Sequence, residues 1–167
     1  MSFIGVICKT KNENNIKQIL SKKLKGRTVL IFTKENIENL KNITFQTILI
    51  LSNNEEVLCK REIVKNIIKK ASYLLINSDE KINLDLLENI DLNVVTFGFN
   101  SKSTITASSV RDEAILLCVQ RNIKLITGNK IEPQEISIRK VEQKLPTNIM
   151  MGIATILLLY GINDFEI

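Results

Sequence analysis

The chain has 167 residues, of which 44% are hydrophobic, and its 23 Lys+Arg against 18 Asp+Glu give a formal net charge of +5. This length and hydrophobic content predict one domain with a sizeable core and are too small for two full domains. The chain contains no histidine, which excludes the commonest general base and the imidazole metal ligand.

The composition also bears on partners and compartment. Lysines occur in many segments and aromatic residues make up only 5%, so we expect no nucleic-acid binding. The longest apolar run, IMMGIATILLLYGI, has 14 residues, fewer than a bilayer-spanning helix needs, and the first residues do not resemble a secretion signal. Cys8, Cys59 and Cys118 lack the spacing of a zinc site or a disulfide framework. We therefore expect a reduced, cytoplasmic setting, no membrane association, no metal and no cofactor.

Residues 1–100 alternate between predicted strands and helices. Short apolar runs rich in β-branched residues are typical of strands buried on both faces of a parallel sheet: FIGVIC, TVLIFT, TILILS, YLLINS and NVVTFG. Helical patterns lie between them: NENNIKQILSKKLK, KENIENLK, EIVKNIIKKA and NLDLLENI. The alternation predicts an α/β fold with a mostly parallel, layered sheet and flanking helices.

Residues 101–146 have a different pattern. STITASSV, AILLCVQR and EISIRKVE are strand-like and separated by short polar turns, so we expect an antiparallel β-meander. A closing helix is predicted for residues 147–162, with Thr147 as its N-cap and Gly161 as its stop. Its almost entirely apolar circumference favours the core but leaves room for a partner surface. The whole chain, 1–167, is predicted to be a single domain.

Three stretches in this order resemble the central, ATP-binding domain of the Mur ligase superfamily. They are IGVICKTKNENNIKQIL, LLINSDE with NVVTFGFNSKSTITASSV, and LPTNIMMGIATILLLYGI. The resemblance implies a P-loop-type α/β fold in an enzyme that joins an amino acid to a carboxylate through an acyl phosphate. The residues that match family motifs are Asn77 and Asp79 (NxDD), Thr96, Phe97 and Gly98 (TFG), Asn148, Ala154 and Thr155 (HNxxNxxAA), and Gly161 with Ile162.

The chain departs from the family where phosphate binding is expected. Cys8 and Lys11 stand at positions of loop glycines, Asn12 replaces the phosphate-binding lysine, and Glu13 replaces the magnesium-binding hydroxyl. Side chains at glycine positions obstruct close backbone approach to an anion, and a carboxylate repels it. Met151 replaces the second asparagine of the closing helix. The ligase motifs are therefore expected to be non-functional, and we predict that the protein is not an enzyme.

Five residues are the candidates for any remaining ligand site: Lys9, Lys11, Asn77, Asp79 and Asn148. The pair Asp79 and Glu80 either faces a ligand at the strand ends or caps the following turn, and capping is the commoner use. The turn TFGFNSKST either binds an anion or simply leads into a hairpin. Cys8 is either a reactive thiol beside Lys9 and Lys11 or, more commonly, a buried one.

Three functional hypotheses remain open at this stage. The first is a non-catalytic Mur-ligase-like binding, scaffold or regulatory module linked to cell-wall precursor synthesis. The second is a nucleotide- or small-anion-binding protein without ligase activity, and the third is an unrelated α/β interaction module. Under each hypothesis a homo-oligomer or a protein partner is expected, because a domain without its usual neighbours exposes apolar surface.

Overall fold

A computed structural model describes residues 2–82, 84–141 and 145–167 of the chain. The residues fall into two compact units. The first comprises the described residues up to Ile76 together with Glu80–Val94, and the second comprises Asn77–Asp79 and Val95–Ile167.

The first unit contains a parallel sheet with helices. Its elements are β1 Ser2–Ile7, α1 Glu13–Lys23, β2 Arg27–Ile31, α2 Ile37–Leu40, β3 Thr47–Ile50, α3 Glu55–Leu58, α4 Arg61–Lys69 and β4 Tyr73–Asn77, of which the last residue belongs to the second unit. The strand order is β2-β1-β3-β4, and all three strand pairs are parallel. The predicted α/β class with a mostly parallel sheet is confirmed. The predicted helix NLDLLENI is only a short 3-10 helix, Leu84–Leu87, and Asn83 lies outside the described residues.

The first unit has an aromatic centre in its core. Phe32 and Phe45 meet edge to face with ring centroids 5.1 Å apart, and both side chains are fully buried. Gly5 of β1 lies against this pair, because a Cβ there would stand 2.7 Å from the Phe32 ring. Sequence analysis did not predict this requirement for a glycine. The buried side chains around the rings come from β1, β3, β4 and helices α2–α4.

The second unit contains most of the antiparallel strands. Its elements are β5 Asn93–Gly98, of which the first two residues belong to the first unit, β6 Ile105–Val110, β7 Ala114–Val119, β8 Ile123–Lys124, β9 Lys130–Ile131, β10 Gln134–Arg139 and α5 Thr147–Leu159. Strands β6, β7 and β10 pair antiparallel as predicted, whereas β6 runs parallel to β5. A two-stranded antiparallel ladder of β8 and β9, which was not predicted, lies in the connection to β10.

Helix α5 corrects two details of the prediction. Its N-cap is Pro146, whose ψ of 145° is extended, so Thr147 is the first helical residue and not the cap. Every residue from Ile149 to Leu159 is buried, so the chain itself covers the apolar circumference and leaves no partner surface there.

The C-terminal end of α5 is the predicted glycine stop. Gly161 has a φ of +71°, and its N–H donates to the Leu158 carbonyl at 2.9 Å. The Ile162 N–H donates to the Leu157 carbonyl at 2.9 Å, which completes a Schellman motif.

Among the described residues, no helix is both long and apolar enough to cross a bilayer.

Candidate functional site

The strand order of the first unit places a topological switch point between β1 and β3. The chain moves from β1 to β2 on one side and then crosses to β3 on the other side of β1. Open α/β sheets bind ligands in the crevice outside the carboxyl ends of two such strands. In this chain the crevice is bordered by the turn after β1, residues 8–12, and the loop after β3, residues 51–54.

The two segments that border this crevice bond directly to each other. The Lys9 N–H donates to the Ser52 hydroxyl at 2.9 Å, and the Asn54 side-chain amide donates to the Cys8 carbonyl at 2.9 Å. Asn54 also caps α3, since its side-chain oxygen accepts from the Val57 N–H at 3.4 Å. The chain's own side chains therefore occupy polar groups that a ligand at this crevice would use.

The turn after β1 does not have the shape of a phosphate loop. Thr10–Asn12 form a 3-10 turn that runs directly into α1, and the Asn12 N–H donates to the Lys9 carbonyl at 3.0 Å. Residues 8–13 are all described, and none of them has a positive φ. Lys9 and Lys11 are exposed on this turn.

Two groups at this turn have raised pKa values, and burial is the main cause in both. Burial, reinforced by the negative charge of Glu13, raises the pKa of Cys8 to about 12, so the thiol is protonated at neutral pH. Cys8 is fully buried, which confirms the commoner of the two expectations for this residue. Burial and the neighbouring Glu35 carboxylate raise the pKa of Glu13, against a hydrogen bond from Thr10 that lowers it.

In the second unit, Asp79 holds the turn that follows β5. Its carboxylate accepts from the Phe99 N–H at 2.6 Å and from the Asn100 N–H at 3.1 Å. The backbone of Gly98, with a φ of +157°, passes so close that a Cβ there would stand 2.6 Å from the Asp79 carboxylate oxygen. Asn77 is fully buried, and its side-chain oxygen accepts from the Asp79 N–H at 3.1 Å.

Further polar groups of this turn bond to one another. The hydroxyls of Ser78 and Ser103 lie 2.6 Å apart, and the Thr104 N–H donates to the Thr96 hydroxyl at 2.9 Å. Glu80, which belongs to the first unit, accepts from the Asn53 N–H at 3.0 Å. Both carboxylates of the Asp79–Glu80 pair thus accept backbone hydrogen bonds.

The candidate residues named from the sequence are divided between the two units. Lys9 and Lys11 lie in the first unit, at the switch-point turn. Asn77 and Asp79 lie in the second unit and bond to each other and to the turn after β5. Asn148 also belongs to the second unit, in the first turn of α5, where its side-chain oxygen accepts from the Ile149 N–H at 3.0 Å. Whether these residues bind a ligand stays a prediction.

Sequence reasoning did not find a cavity of about 640 Å³ in the second unit. Buried Leu125, Leu158 and Tyr160 line it together with exposed Lys130 and Glu135. These residues come from β9, β10, α5 and the segment after β8, and no periodic pattern connects them. The volume falls within the range of small-molecule sites.

The described residues include no group of three or more Cys, Asp or Glu side chains arranged to hold a metal ion. Glu55 and Glu56, which follow β3 in the sequence, are exposed in the first turn of α3. Neither a comparison with protein-family models nor a comparison with curated proteins finds a match to this chain.

Proposed function

We propose that this chain is a non-catalytic binding or scaffold module that resembles the central domain of Mur ligases and acts by association near cell-wall precursor synthesis. The observation that carries the proposal is that the two segments bordering the switch-point crevice, residues 8–12 and 51–54, bond directly to each other. The Ser52 hydroxyl accepts a hydrogen bond from the Lys9 N–H, and the Asn54 side-chain amide donates one to the Cys8 carbonyl. A phosphate loop instead leaves several backbone N–H groups directed at the anion.

Local electrostatics supports the same proposal. The carboxylates of Glu13 and Glu35 are close enough for Glu35 to raise the pKa of Glu13. A triphosphate at the turn after β1 would bring further negative charge toward this pair, and the turn contains no left-handed residue to open its backbone. The two exposed lysines, Lys9 and Lys11, supply point charges but not the oriented backbone donors of a phosphate nest.

Calorimetric titration of the whole chain with ATP, ADP and GTP, each with magnesium, tests the proposal. We expect no binding heat at millimolar nucleotide and no ATP turnover with amino-acid acceptors. Saturable binding without turnover would instead establish the nucleotide-binding alternative. ATP turnover that Glu13→Gln or Asn12→Ala abolishes would reject the proposal altogether.

A further inference from the structure

The excess positive charge of the chain lies in the first unit. The first unit contains 15 Lys+Arg and 10 Asp+Glu, whereas the second contains 8 of each. Within the first unit, residues 17–27 contain five cations and no acidic residue, and the remainder of that unit is balanced. This stretch, the basic segment, has a net charge of +5, and residues 60–70 form a second basic run with five cations and one glutamate. The lysines are widely distributed, as the sequence suggested, but their excess is not.

The basic segment includes most of α1 and the turn that leads into β2. Ile16, Leu20 and Leu24 form the inner stripe of this region and are fully buried. Lys17, Lys22 and Lys25 are exposed. The fold thus buries the apolar side chains of this region in the core and leaves three of its lysines exposed.

Helix stability explains only part of this charge. Lys22 and Lys23 lie in the last turn of α1, where cations interact favourably with the helix dipole. Lys17 lies in the middle of the helix, and Lys25 lies beyond its end, so the dipole does not account for them. Clustering five like charges also adds mutual repulsion, which the fold does not need.

The surface chemistry narrows the class of partner. No aromatic residue occurs between Phe3 and Phe32, so the basic segment itself contributes no side chain on which nucleic-acid bases could stack. The apolar stripe of α1 is already buried, so the helix has no apolar face to insert into a membrane interface. A duplex-binding surface commonly neutralises more phosphates than the three exposed lysines could. Carboxylates on a protein surface are complementary in charge to a small group of exposed lysines without aromatic side chains in the same segment.

We propose that the basic segment is the docking surface for an acidic protein partner, with Lys17, Lys22 and Lys25 facing its carboxylates. This inference rests on the proposed binding function and adds the partner's chemistry to it. Lysine-rich surfaces act mainly by accelerating encounter, so binding is expected to weaken as salt shortens the range of the charges.

Fluorescence anisotropy with a labelled helical peptide that carries glutamates at i, i+4 and i+8 tests this inference. We expect the whole chain to bind the peptide at low salt, and K17E/K22E/K25E to weaken binding by at least roughly tenfold. The neutral variant K17Q/K22Q/K25Q is expected to show an intermediate loss. If the reversed charges disturb α1, this neutral variant still tests whether the three lysines bind the peptide. Circular dichroism checks the fold of each variant.

The matched control is K34E/K41E/K69E, which changes the net charge by the same amount at three other exposed lysines of the first unit. We expect it to retain most of the peptide binding. Equal losses in the two triple variants, or no binding by the wild type, would overturn the inference. Tighter binding to a charge-matched DNA duplex, or to vesicles containing phosphatidylglycerol, would also overturn the assignment to an acidic protein. The nucleotide titration is independent of this assay, so the two proposals can fail separately.

Discussion

Gly98→Ala would place a methyl group where the structure has the carboxylate of Asp79. A Cβ at Gly98 would stand 2.6 Å from one carboxylate oxygen and 2.8 Å from the carboxyl carbon. The carboxylate cannot move away without loosening its hydrogen bonds from the Phe99 and Asn100 N–H groups. The substitution therefore combines backbone strain at a φ of +157° with the loss of this anchor.

The expected destabilisation can be worked from these two contributions. An alanine in a conformation that favours glycine costs about 1 kcal/mol. Hydrogen bonds to a charged group are worth about 1.5–3 kcal/mol each when buried. Phe99 is 53% exposed and Asn100 is exposed, so water can form hydrogen bonds with the N–H groups that lose the carboxylate, which reduces the cost. We expect Gly98→Ala to lower the free energy of unfolding by about 2–4 kcal/mol.

Urea unfolding followed by circular dichroism measures this effect, and the midpoint should fall by about 1–2 M. Gly128→Ala is the matched control, since Gly128 has a φ of +91° but nothing within 4 Å of an added Cβ, so only strain remains. In a double-mutant cycle, Asp79→Ala should recover at least about 1 kcal/mol of the Gly98→Ala loss. Additive effects, or a Gly98→Ala midpoint equal to that of Gly128→Ala, would refute the clash.

Four further predictions concern the switch point. Iodoacetamide at pH 8 should modify exposed Cys59 in the native protein but reach Cys8 only on unfolding. Because the folded pKa of Cys8 is raised from 9.0 to about 12, the stability it contributes is complete below pH 9 and is lost as pH rises toward 12, measurable as a falling urea midpoint. Glu35→Gln should lower the pKa of Glu13, followed by NMR titration of its carboxyl carbon. Asn54→Ala should cost about 1–2 kcal/mol in urea unfolding, because it removes the α3 cap and the bond to the Cys8 carbonyl.

The predictions for Asn54→Ala, Glu35→Gln and Cys8 modification each have a control or a contrary outcome. Asn39→Ala removes an exposed asparagine and should change stability by less than about 0.5 kcal/mol, so an equal loss for Asn54→Ala would contradict its bridging role. An unchanged Glu13 titration in Glu35→Gln would show that burial alone sets its pKa. Native-state modification of Cys8 at the rate of Cys59 would show that the turn after β1 opens readily.

The elements that sequence analysis predicted well are those with strong local patterns. Strand runs such as TILILS have no polar alternation, because their β-branched side chains are buried on both faces, and they mark strands to within a few residues. The apolar stripe of α1 was equally clear. Strands β8 and β9 have two residues each, and α3 has four, which is too short for any periodicity to appear. Their positions depend on contacts with the rest of the fold.

The candidate site was less predictable because its main bonds join distant segments. Lys9 and Ser52 are 43 residues apart, and no local rule connects a strand-end lysine to a serine in another loop. Gly98 was noticed as part of a family-like TFG motif, whereas its structural role is to give clearance to Asp79. The capping use of Asn54 had a readable signal, since an asparagine precedes two glutamates there, but its bond to Cys8 did not.

The basic segment also gives the chain a built-in probe of local opening. It contains five sites of the kind that trypsin cleaves, and four of them lie close together: Lys22, Lys23, Lys25 and Arg27. The backbone there is held by hydrogen bonds from the Leu24 N–H to the Leu20 carbonyl at 2.8 Å and from the Arg27 N–H to the Leu24 carbonyl at 3.2 Å. A protease needs an extended substrate, so the first cut must wait until this stretch unravels. The rate of limited digestion then reports how often the end of α1 detaches, and a bound partner would slow it.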